Sequence, residues 1–240
     1  MKILALDSTA TTATAALCAD EALIGLYTLN SGNTQSETLL PMIESLLRVS
    51  GWQVSDIDMF ACAQGPGSFT GVRIGAATIK GLAFDSGKPC IGVSTLEALA
   101  YNLSDRRGLV CPVMNARRGQ VYNALFSSNG TTLRRICPDR AISLDELAVE
   151  LATAHEPIFL TGDGYDIAKK ALENNEKLQA TPVLQQNQNA YSVAQLALQE
   201  FRAGKHTTDF ELTPSYLRLP QAERERNERL ARQQKEQASQ

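Results

Sequence analysis

The sequence predicts an α/β fold of two tandem lobes, each with the element order strand-strand-strand-helix-strand-helix-strand-helix. Two observations lead there. Apolar stretches of strand length alternate with helix-length amphipathic stretches. The order also begins again near Gly108, where "LVCPVMNARRGQVYNALFSSNGTTLRRI" repeats the strand, polar turn, strand, turn, strand pattern of "KILALDSTATTATAALCADEALIGLYTL".

In the first unit, "KILAL" (2–6) reads as a strand ending in the polar turn Asp7-Ser8-Thr9. Residues 12–19 and 22–29 complete a three-strand meander. "NTQSETLLPMIESLLRVSG" then reads as a helix. Thr34 with Glu37 makes a capping box, Leu39, Ile43, Leu46 and Leu47 share one face, and Gly51 is the stop. Pro41 either kinks this helix or moves its start to about Thr38. "IDMFACAQ" (57–64) is a buried strand, and the glycine-rich "QGPGSFTGVRIG" leads into a helix to about Asp85. "PCIGVS" is a strand and Thr95 to Tyr101 a helix.

In the second unit, 143–153 is a helix with Ser143 and Glu146 as a capping box, "PIFLTGDG" a strand and "DIAKKALE" a helix. "TPVLQ" is a short strand and 193–204 a helix closed by Gly204. Two such units imply facing lobes of the actin and sugar-kinase type, the ASKHA or ribonuclease H-like arrangement of tandem βββαβαβα units. The expected boundaries are 1–104 for the first lobe and 105–219 for the second. Residues 220–240 form a charged tail, poor in large apolar residues and expected to be mobile and dispensable for folding.

Composition narrows the function. The 240 residues are 43% hydrophobic and 20% charged with a net charge of -3, so no global basic field draws in nucleic acid. No apolar run is long enough to span a bilayer, and "MKILALDSTA" does not read as a signal peptide. Five dispersed cysteines without a CxxC pair fit reduced thiols and a cytoplasmic location. The only histidines are His155 and His206, which gives no metal-ligand spacing and no Ser-His-Asp or Cys-His set.

The glycine-rich stretch fits neither a Walker loop nor a dinucleotide fingerprint. Gly67, Gly71 and Gly75 fall at i, i+4 and i+8, on one side of a helix. Helical glycine costs about 1 kcal/mol relative to alanine, so something should offset it. Close packing against a helix of another subunit is the preferred offset; anion binding at the helix N-terminus beside Ser68 and Thr70 is the runner-up. Asp7, Ser8, Thr9, Gly67 and Ser68 sit where a phosphate loop of this fold would lie, as a vestige of one or as plain turn residues. The matching turn of the second lobe carries Asn115 in place of an acid. Gly162-Asp163-Gly164 fits a structural turn better than a cleft residue.

"ALDST", "LLPMIESLL", "GPGSFTGVRIG", "GVSTLEALA", "NARRGQVY" and "LTPSYLR" together resemble the bacterial TsaB (formerly YeaZ) family over about residues 1–219. The resemblance implies an actin-like fold and a non-catalytic subunit of the tRNA threonylcarbamoyladenosine machinery. Such a subunit pairs with its paralogue TsaD, is joined by the ATPase TsaE, and meets tRNA through the complex. It implies no cofactor and no metal of the chain's own, with ATP or ADP only at a shared interface, and a homodimer as an alternative when alone. It assigns the first two helices to the partner interface: Leu39, Leu40, Ile43, Leu46, Leu47, Thr70, Gly71, Val72, Arg73, Ile74, Gly75, Thr78 and Ile79. Family members commonly have a histidine at the position of Gln35 and an aspartate at Asn115. The rival reading is a stand-alone actin-fold phosphotransferase or a glycoprotease-like peptidase.

Overall fold

Three antiparallel strands open the chain in the computed structural model, which describes residues 1–218. They are β1 (Lys2–Asp7), β2 (Ala13–Ala19) and β3 (Ala22–Leu29). The helix α1 (Gln35–Ser50) follows, then β4 (Met59–Gly65), α2 (Phe69–Ala83), β5 (Cys90–Ser94) and α3 (Thr95–Tyr101). The sheet order is β3-β2-β1-β4-β5, with β4 and β5 parallel to β1. Pro41 lies inside α1 and does not delay its start. Thr34 fixes the first turn by donating its N–H and its hydroxyl to the Glu37 carboxylate at 3.3 and 2.8 Å.

The second unit repeats this plan. Its strands are β6 (Arg107–Arg117), β7 (Gln120–Asn123), β8 (Phe126–Asn129), β9 (Leu133–Arg135) and β10 (Arg140–Ser143). After them come α4 (Leu144–Ala152), β11 (Ile158–Thr161), α5 (Tyr165–Ala171), β12 (Leu178–Gln179) and α6 (Ala190–Arg202). The order β10-β7-β6-β11-β12 matches that of the first sheet strand for strand, and the β8–β9 hairpin is added along the first half of β6. The duplication expected from the sequence is therefore present. The "TPVLQ" stretch is a correction. It forms a 3-10 turn at Val183–Gln185, with Val183 and Leu184 exposed, because its backbone bonds close locally, Gln185 N–H to the Pro182 carbonyl at 2.9 Å and Gln186 N–H to that of Val183 at 3.1 Å; the fifth strand is the two-residue β12 upstream.

Helices and sheets alternate in layers. The helices α1 and α2 cover one face of the first sheet through Leu39, Ile43, Leu47 and Ile79. On its other face lies α6, through Val193, Ala194 and Ala197. The second sheet is covered outside by α4 and α5 and inside by α3, whose Leu96 and Leu99, with Leu103 just beyond it, meet Val110 and Phe126. Residues 190–202 thus pack on the first sheet, although the expected boundary put them in the second lobe. The chain then stays with the first lobe: Thr207 bridges Cys90, and Leu212 is buried in the α1/α2 core. Arg135 on β9 donates to Glu97 on α3 at 2.7 Å, tying the units together. The stretch 220–240 lies outside the described residues.

Candidate functional site

Between the two units lies a cleft of about 670 Å³. Its walls come from the turn after β1, the loop before α2, the turn between β6 and β7, Asp163, and the segment 215–218. Asp7 ends β1 and is wholly buried. Its Oδ1 accepts hydrogen bonds from the Thr9 N–H at 2.8 Å and the Thr9 hydroxyl at 2.6 Å, while Oδ2 has no partner among the described residues. Burial pushes its carboxyl up to about 6, against the pull of the Thr9 bonds and with a small further push from Asp163. Asp163 is itself raised, mainly by desolvation.

The turn after β1 is laced to the start of α2. The Ser8 hydroxyl donates to the Gly71 carbonyl at 2.8 Å, and the Ser68 N–H donates to the Thr9 carbonyl at 2.7 Å. This contact is what the glycines serve. A Cβ at Gly67 would stand 2.5 Å from the Thr9 carbonyl oxygen, and one at Gly75 would stand 2.7 Å from the Ser8 Oγ. At Gly71 it would overlap the Ser8 carbonyl outright. The expectation that these glycines admit another subunit's helix is corrected: they admit the chain's own β1 turn. The anion reading is also weakened, because Ser68 turns its hydroxyl to the Gly71 N–H at 3.3 Å as the helix cap.

The residues expected at a partner interface divide in two. Leu39, Ile43, Leu47, Gly71, Val72, Gly75 and Ile79 are buried within this chain and cannot meet a partner. Leu40, Thr70 and Arg73 are exposed, and Leu46, Ile74 and Thr78 are half-buried. The outward face of α2 also carries Ala77, Gly81 and Phe84, and a Cβ at Gly81 would meet nothing within 4 Å. The small residues open to an approaching helix are therefore Ala77 and Gly81, one turn apart. The Asp7, Ser8, Thr9, Gly67 and Ser68 set does come together: Thr9, Gly67 and Ser68 line the cleft, while Asp7 and Ser8 are buried.

Gln35 lines the cleft and donates its amide to the Ala10 carbonyl at 2.5 Å, pinning α1 to the turn between β1 and β2. Asn115 builds a turn: its Oδ1 accepts from the Arg117 N–H at 2.8 Å, supporting the left-handed backbone of Arg117 and Arg118. Asp163 faces the cleft and accepts the Asn115 N–H at 3.1 Å. Sequence reasoning favoured a structural turn for Asp163; the repeat of the first sheet in the second was the signal that its turn would face Asp7. Among the described residues the cleft lining has hydroxyls, amides, arginines and one acid but no histidine, cysteine or lysine. Among the described residues no three metal-binding side chains cluster. The charge of Asp163 adds to the upward push that burial gives the Asp7 carboxyl.

The family model of TsaD, tRNA N6-adenosine threonylcarbamoyltransferase, matches residues 31–226. The Bacillus subtilis protein named tRNA threonylcarbamoyladenosine biosynthesis protein TsaB is 32% identical over 93% of this chain and 96% of its own length. This chain belongs to the TsaB (YeaZ) family. The Escherichia coli protein of the same name is 38% identical over 52% of this chain and 55% of its own length. In structure, YeaZ from Pseudomonas aeruginosa aligns with a TM-score of 0.74 at 26% identity, covering 90% of this chain and 99% of that one. The component A of (R)-2-hydroxyglutaryl-CoA dehydratase from Acidaminococcus fermentans shares the actin-like fold alone, with a TM-score of 0.51 at 12% identity. No helix among the described residues is long and apolar enough to cross a membrane.

Proposed function

We propose that this chain is a non-catalytic, activating subunit of bacterial tRNA threonylcarbamoyladenosine synthesis. It pairs with the TsaD transferase, is joined by TsaE, acts in the cytoplasm and meets tRNA through the complex. The observation that carries this reading is the match, nearly end to end, to a relative named for that pathway. Any ATP or ADP sits at a shared interface of the complex, and the chain brings no cofactor of its own.

The pairing surface in this reading is the outward face of α1 and α2: Leu40, Ile74, Ala77, Thr78, Gly81 and Phe84. Phe84 is 77% exposed and Leu40 52%, apolar area that a partner would cover. Ala77 and Gly81 let a partner helix come close, and Arg73 beside them supplies charge. Co-elution of the purified chain with its TsaD on size exclusion tests this, with Ala77→Arg as the variant. The variant keeps the wild-type melting temperature and loses the heterodimer. Retained pairing at micromolar concentration would remove the surface assignment. Threonylcarbamoyl transfer, ATP hydrolysis or peptidase activity by the chain alone would remove the non-catalytic reading.

A further inference from the structure

The segment after Leu212 crosses from one unit to the other over the mouth of the cleft. Its anchor is firm: Leu212 is buried, and the Lys80 ammonium donates to the Phe210 and Leu212 carbonyls at 3.1 Å. From there Ser215 lies on the glycine loop. Its N–H donates to the Gln64 carbonyl at 2.7 Å, and its own carbonyl fills the space that a Cβ at Gly65 would need. Gly65 has φ +117, so both its conformation and this contact require glycine. At the far end, Arg218 donates to the Ala116 carbonyl at 3.2 Å in the second unit. Residues 215–218 all line the cleft, so this strap narrows its entrance.

Two residues of α2, Phe69 and Arg73, hold the middle of the strap. The Tyr216 ring lies 4.9 Å from the Phe69 ring, and the Arg73 guanidinium sits 3.8 Å over Phe69. Arg73 Nε donates to the Tyr216 hydroxyl at 2.9 Å. These are a cation–π contact and a hydrogen bond from a charged guanidinium to a neutral phenol at an exposed position, individually weak. Arg73 is in none of the ion pairs among the described residues. It is exposed and shares the outward face of α2 with Ala77.

We propose that Arg73 is a latch linking the α2 surface to the cleft: a partner carboxylate that takes its guanidinium releases Tyr216 and loosens the strap at the cleft mouth. A carboxylate would make a charge-assisted, bidentate contact, stronger than the bond to a neutral phenol. The strap then keeps its Leu212 anchor, the Ser215 bond to Gln64 and the Arg218 bond to Ala116, but the stretch at Tyr216 is no longer tied to α2 by Arg73. The coupling rests on the proposed pairing with TsaD; the latch itself does not.

Hydrogen–deuterium exchange on the full chain separates the two. In the free chain, Arg73→Ala and Tyr216→Ala each speed exchange across 213–218 by about tenfold, the factor expected when contacts of this kind are lost, and leave α2 and the sheets unchanged. Unchanged exchange in the strap for both variants overturns the latch. With saturating TsaD, strap exchange in the wild-type chain rises toward that of Arg73→Ala. By linkage, Tyr216→Ala, which leaves the α2 surface intact, then binds TsaD more tightly than wild type. Protection of the strap on binding, or weaker binding by Tyr216→Ala, overturns the coupling. Failure of the wild-type chain to bind TsaD at all refutes the proposed function and the coupling with it, while the free-chain exchange still decides the latch.

Discussion

Replacing Asp7 by asparagine should make the protein more stable at neutral pH, although Asp7 accepts both hydrogen bonds that Thr9 makes in the turn after β1. Folding raises its carboxyl from 3.8 to about 6 because burial disfavours the charge. A folded value above the unfolded one means that the fold prefers the protonated form. The stability this residue allows is therefore full below pH 3.8 and is lost as pH rises through about 6. Above that, the gap between 3.8 and about 6 amounts to a penalty of about 3 kcal/mol, at 1.36 kcal/mol per pKa unit. Asparagine keeps the oxygen that accepts both Thr9 bonds and removes the charge from the unpartnered side. Urea denaturation with EDTA at pH 4 and at pH 8 measures the difference. A gain of under about 1 kcal/mol for Asp7→Asn at pH 4, rising to as much as about 3 kcal/mol at pH 8, is expected. A difference that stays flat between the two pH values, or a loss at pH 8, would refute the claim that this carboxylate is buried without compensation.

Two glycines in one helix should respond in opposite ways. Gly71→Ala forces a Cβ into the Ser8 carbonyl and should cost about 2–3 kcal/mol in chemical denaturation, or abolish folding. Gly81→Ala meets open space on an exposed helical turn and should gain about 0.5–1 kcal/mol, read as a raised melting temperature. If both substitutions shift stability in the same direction, the inward and outward faces of α2 have been assigned wrongly.

Much of the fold was legible because its signals are local or repeated. Capping boxes at Thr34 and Ser143 mark two helix starts from four residues each, and α3 has the bounds its pattern predicts. The duplicated element order revealed the two sheets even where residue identity is weak. What failed depends on distant neighbours. Gly67, Gly71 and Gly75 do share a side of the loop and helix, but the spacing cannot say what that side meets. The answer lies at Ser8 and Thr9, some 60 residues upstream. The sequence of α6 gives a sound helix without showing that it crosses to the first sheet, and "TPVLQ" has strand composition but closes its backbone bonds locally. Asn115 looked like a lost acid; its side chain is instead occupied with the turn at Arg117. Nothing local to "LTPSYLR" shows that Tyr216 reaches Arg73, 143 residues away.

The central claim, that this chain activates a transferase rather than performing the transfer, is tested most directly by reconstituted threonylcarbamoyladenosine formation. The assay uses tRNA, the threonylcarbamoyl-adenylate donor, TsaD and TsaE, with and without this chain, and reads the modified nucleoside by mass spectrometry. Product should form only when this chain is present together with TsaD. It should be absent with this chain alone and lost with Ala77→Arg in place of wild type. Full product from TsaD and TsaE without this chain, or product from this chain without TsaD, would contradict the account.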